Sequence, residues 1–84
     1  MKTKKQLITS AIIDKAKSLA REPLTAKQLN KLEKFIASRL DTHGRYGYQF
    51  QSEAYYKKQF VPINVYNISL IANYVLECNF IKTN

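Results

Sequence analysis

The sequence predicts a mostly α domain of four helices, and three stretches carry that expectation. Residues 24–44 have both helix ends written into them, residues 4–21 are amphipathic, and residues 64–81 are apolar almost throughout. In the first, LTAKQLNKLEKFIASRLDTHG, Thr25 and Gln28 have capping-box spacing: the hydroxyl accepts the third helical N–H and the amide side chain reaches back to the N–H of the cap. Leu24 and Leu29 hold the staple positions around that cap, so an apolar contact fixes how the chain enters the helix. Leu29, Leu32, Phe35, Ile36 and Leu40 recur at three- and four-residue intervals as one buried stripe, and Gly44 supplies the stop. Lys27, Lys31 and Lys34 repeat on a different face.

The first helix spans Lys4 to about Arg21. Ile8, Ala11, Ile12, Ala16, Leu19 and Ala20 form its apolar side, with Ser10, Asp14, Lys17 and Arg21 opposite. Pro23 drives Glu22 out of the α region and ends it, and the cap at Thr25 follows so closely that the two helices must pack as neighbours. In GRYGYQFQ, Tyr46, Tyr48 and Phe50 alternate with Arg45, Gly47 and Gln49, the period of a short edge strand or an extended loop near residues 45–51. Ser52 then reads as the cap of a short third helix, SEAYYKKQF, that stops before Pro62. The last helix follows a cap at Asn64 and is apolar except for a seam of Tyr66, Ser69, Asn73 and Glu77. It is either the centre of the core or half of a homodimer interface; its Val, Ile and Tyr content leaves a partly strand reading of residues 61–81 open. The helix at 24–44 is expected to lie between the first helix and the last.

At 84 residues the chain forms one domain. Its 14 basic and 6 acidic side chains give a net charge of +8, and residues 1–60 hold the whole excess, since Lys82 and Glu77 cancel in the remainder. This separates a basic helical part, 1–60, suited to a polyanion, from an apolar core or dimerisation segment, 61–84. Cys78 stands alone, cannot form an internal disulfide, and reads as a small core residue in a reducing cytoplasm. The opening MKTKKQLITSAIID places lysines before an apolar run, but Asp14 and Lys15 cut that run short of a leader. No stretch approaches the ~20 apolar residues of a membrane span, so no membrane partner is expected.

The inventory points away from catalysis. His43 is the one histidine and sits where it would cap a helix C-terminus; neither it nor Cys78 has neighbours that would build a metal site. The carboxylates show no paired spacing, no phosphate-binding loop occurs, and neither cofactor nor metal is expected. Lysine, arginine and tyrosine remain. Phosphates need positive charge along their track and unstacked bases need flat aromatic faces, which favours RNA over duplex DNA as partner. Lys2, Lys4 and Lys5 form an amino-terminal arm at a helix end where the macrodipole disfavours cations. Lys27, Lys31 and Lys34 would track phosphates, and Arg45, Tyr46, Tyr48, Lys57 and Lys58 would lie near the bases. RYGYQF shares its aromatics with the RNP1 pattern of RRM domains, but its glycine is displaced and the βαββαβ order is missing. The alternative is an inhibitor or adaptor that docks an acidic protein through the same basic face, anchored by Tyr48 or Phe50.

A compact basic chain rich in Lys, Asn, Tyr and Ile also resembles the small accessory proteins of T-even-type bacteriophages. In size and in its histidine-poor basic character it is similar to the toxin-inhibitory factors among them, which counter an RNA-antitoxin-based defence by binding RNA. The resemblance implies an RNA-binding inhibitor in the cytoplasm of an infected bacterium. It is one of overall character and carries over no residue position.

Overall fold

Two T-x-x-Q boxes start the first two helices. The computed structural model describes residues 3–44, 47–54 and 57–84. At the head of α1 (Lys4–Leu19) the Gln6 N–H donates to the Thr3 hydroxyl at 3.1 Å and the Thr3 N–H donates to the Gln6 side-chain Oε1 at 2.8 Å. The head of α2 (Ala26–Arg39) repeats this with Thr25 and Gln28, at 3.1 and 2.9 Å. Leu24 and Leu29 flank that cap half-buried and packed on the core, as the staple spacing requires. The box at Thr3 has the same spacing, T-x-x-Q, with lysines on both sides of the threonine.

The four-helix expectation fails after Arg39. Instead of continuing to Gly44, the chain turns extended at Leu40 (φ −83°, ψ 124°) and forms β1 (Leu40–Gly44), β2 (Gly47–Ala54) and β3 (Lys57–Pro62), an antiparallel meander in chain order. Gly44 pairs with Gly47 in the first hairpin instead of stopping a helix, and His43 lies in β1 instead of capping one. The described residues of the expected third helix, 52–54 and 57–60, are strand: Ser52 to Ala54 complete β2, and Gln59 to Lys57 pair back onto them. The alternation seen in Tyr48 and Phe50 therefore continues along the strand, and β2 is the central strand of the sheet, not an edge.

One side chain accounts for this outcome. Phe50 stands opposite Leu40 in β1 and Val61 in β3, so the pleat puts all three on one face. Phe50 is completely buried there, and Leu40 and Val61 pack against the same core. A helix over residues 52–60 would leave β2 with a single partner strand and remove Val61 from that face. Pro62 is accommodated because β3 is an edge strand.

In the last segment Val61 and Pro62 belong to β3 and Ile68–Cys78 form α3, which contributes the buried Ile71, Ala72, Val75 and Leu76 to the core. They meet Ile12, Ile13 and Ala16 of α1, Leu32 and Ile36 of α2, and Phe50. Fully burying a Leu, Ile or Phe side chain contributes roughly 1.5–3 kcal/mol, so this cluster is the main source of stability. Tyr74 joins sheet and helices, edge-on to Phe50 at 6.0 Å and tilted to Phe35 at 6.5 Å. α1 packs most extensively against α3 and next against α2, so the middle helix is α1, not the 24–44 helix. Thr3, Gln6 and Ser10 share a groove with Glu33 and Ala37, whereas Lys17 and Ala20 share one with Leu24 and Leu29, so α1 and α2 run antiparallel. Among the described residues no helix is long and apolar enough to cross a membrane.

Candidate nucleic-acid interface

The lysine row of α2 is built by helical spacing alone. Lys27, Lys31 and Lys34 are all exposed, on the side of α2 opposite the buried Leu32 and Ile36. None has an acidic residue three or four positions away along the helix, so no local partner neutralises the row. Its N-terminal end reaches another element: Lys27, Gln28 and Lys31 line a groove with Asn79 and Ile81, just beyond the last turn of α3. That helix has no basic residue of its own in its last turn, so the two lysines stand by the negative end of its macrodipole.

Lys4, Lys5 and Tyr48 sit at the opposite end of the antiparallel pair. The Lys4 ammonium lies over the Tyr48 ring, 4.9 Å from its centroid, which offsets the unfavourable helix-end position of that cation. Lys5 is exposed and lines the groove between α1 and α2. Lys57 and Lys58 pair with Ala54 and Glu53 in the strand register. Lys2, Arg45 and Tyr46 lie outside the described residues. The structure therefore brings Lys4 to Tyr48 and keeps Lys27 and Lys31 apart from both. Of the two anchors proposed for a protein partner, Phe50 is fully buried and has no exposed face to offer.

The C-terminal end of α3 holds residues that the sequence reading missed. The Ile81 N–H donates to the Leu76 carbonyl at 3.0 Å and the Phe80 N–H to the Glu77 carbonyl at 3.1 Å, the two bonds of a Schellman motif. Ile81 packs back on the core as the motif requires, and Phe80 takes the left-handed position with φ 59°. Glycine or asparagine is the usual occupant, and a Cβ there costs about 1–2 kcal/mol. The chain then runs beside the end of α1: the Arg21 N–H donates to the Lys82 carbonyl at 2.9 Å, the Asn84 N–H to the Leu19 carbonyl at 3.0 Å, and Ala20 bridges Thr83. Between this tail and the α1–α2 connection lies a cleft of about 480 Å³, with Arg21 and Lys82 on its walls and Phe80 at its rim. Phe80 is 94% exposed, the most exposed large apolar side chain described. An aromatic residue with no glycine near the end of an apolar helix was the available signal, but it reads as core until the left-handed backbone is seen.

Cys78 is exposed at the end of α3, which corrects its assignment to the core. Among the described residues no group of three or more His, Cys, Asp or Glu side chains is placed to hold a metal ion. No protein-family model, curated protein or solved structure matches this chain.

Proposed function

We propose that this protein is a non-enzymatic nucleic-acid-binding protein that takes RNA in preference to duplex DNA and acts as an inhibitor or regulator by occupying it. The observation that carries the reading is the row of Lys27, Lys31 and Lys34, exposed together on the side of α2 away from the core, with no acidic residue three or four positions from any of them. Seven residues of helix spread these charges over about 10 Å, so they present a track, not a point. Exposed aromatic surface at the same end of the molecule favours unpaired bases over a duplex, whose bases are already stacked. The likeness to phage accessory proteins supports a role against a toxin–antitoxin defence, and rests on composition alone.

Filter binding of single-stranded RNA and duplex DNA across a salt series tests the proposal. Affinity for the single strand should fall with a log–log slope of about 0.7 per phosphate neutralised. Charge reversal at Lys27, Lys31 and Lys34 should lower that slope by roughly 2 while leaving the circular dichroism unchanged. Binding that ignores salt, or no binding at low ionic strength, would overturn it.

A further inference from the structure

Phe80 occupies a position that the fold would fill better with glycine. Its backbone is left-handed, its side chain is 94% exposed, and the neighbouring Ile81 already supplies the apolar contact that locks the turn. The side chain thus returns little packing to offset its conformational cost, the pattern expected where strain serves a site.

The surroundings identify the ligand chemistry. Arg21 and Lys82 are exposed and are held side by side through the main-chain bond between them, on the walls of the cleft that Phe80 borders. Lys27 and Lys31 line the adjoining groove, which shares Gln28 and Ile81 with the cleft. Among the described residues Glu22 is the one carboxylate lining either space. A flat apolar ring among four cations and one anion matches a nucleotide, with its base on the ring and its phosphates on the cations. An apolar protein anchor would instead find a charged rim with no hydrophobic floor of comparable exposure.

We infer that the cleft between the α1–α2 connection and the C-terminal turn is a single-stranded RNA subsite, in which Phe80 stacks on a base and Arg21 and Lys82 take the flanking phosphates. This rests on the nucleic-acid reading above and adds to it the stacking residue and two phosphate contacts outside the α2 row. Sequence preference at this subsite is weak, because every base offers a π-face.

The test is fluorescence anisotropy with a labelled decauridylate at low salt, on the full chain and its Phe80 variants, alongside thermal melts. Phe80→Gly should raise the melting temperature by about 4–8 °C, since it relieves the left-handed strain, and weaken binding about tenfold. Phe80→Leu keeps apolar surface but not a flat ring and should bind as weakly as the glycine variant, whereas Phe80→Trp should bind at least as well as the native chain. Full affinity in Phe80→Gly or Phe80→Leu, with the native protein binding well, would overturn the subsite and leave the lysine row standing. Failure of the native protein to bind decauridylate at all would remove the nucleic-acid reading and the subsite together.

Discussion

At the sheet end of the molecule Lys4 lies 4.9 Å from the centre of the Tyr48 ring and Arg39 lies 4.5 Å from that of Phe35. At the far end of the α1–α2 pair Arg21 and Lys82 border a cleft beside Phe80, whose ring stands in solvent. Both ends combine cations with aromatic rings, but at the first these groups are partners of one another. Phe50, Phe35 and Tyr74 form a packed cluster there, and Arg39 covers its Phe35 ring. At the second end Arg21 is brought by the tail pairing to the segment that carries both Phe80 and Lys82, and the ring has little to pack on. The aromatic count of a segment therefore says little about where a ligand binds; what matters is whether the fold has already used the rings.

The comparison breaks most easily at Phe50. Replacement by alanine removes the side chain that joins all three strands to α3 and should cost about 3–5 kcal/mol, as for other buried aromatic truncations. For a domain of this size that is a large part of a total of roughly 4–12 kcal/mol. Urea titration should show a midpoint lowered accordingly or no cooperative transition. A loss below ~1 kcal/mol would mean that the sheet end is loosely packed and that its rings are freer than the structure places them.

Ile81→Ala probes the other end, with a smaller effect. Its side chain is only half-buried, so truncation should cost about 1–2 kcal/mol through the lost apolar contact of the Schellman turn. Binding of RNA should fall with it, because Phe80 and Lys82 flank this residue in the chain. Stability lost without any loss of affinity would separate the turn from the binding surface.

How far the sequence could be read follows the same division. Local signals were sufficient for the helices: the Thr25 and Gln28 pair, the staple leucines and the apolar period of residues 68–78 all act between near neighbours. They failed where contacts are distant. Leu40 fitted the helical stripe equally well until its place opposite Phe50 drew it into β1, and Ser52 fitted a helix cap until β3 paired across from it. Strand alternation at Tyr48 and Phe50 is visible in the sequence, but the strand that pairs with it, β3, lies within a stretch that also has helix-cap spacing. The exposure of the lysine row followed from its helical phase, whereas Arg21 lies 59 positions before Phe80 and 61 before Lys82 and became their neighbour only through the tail bridge.

The caps offer a finer contrast. Thr25→Ala and Thr3→Ala remove the same box from α2 and α1 and should each cost about 1 kcal/mol by thermal melting. Thr25 also lines the cleft beside Phe80, so its loss should weaken RNA binding slightly, whereas loss of the Thr3 box should not.

The smallest effect is the most discriminating. A double-mutant cycle on Lys4→Ala and Tyr48→Leu should yield a coupling of about 0.5–1 kcal/mol in folding stability, the range for a cation over an exposed or half-exposed ring. In RNA affinity the same cycle should show no coupling, because the face of Tyr48 that a base would use is already covered by the ammonium. Tyr48→Leu by itself should then change affinity less than Phe80→Leu does. If instead Tyr48→Leu weakens binding more, Lys4 must swing aside when RNA arrives, and the sheet end becomes the stacking platform with the C-terminal turn only a phosphate contact.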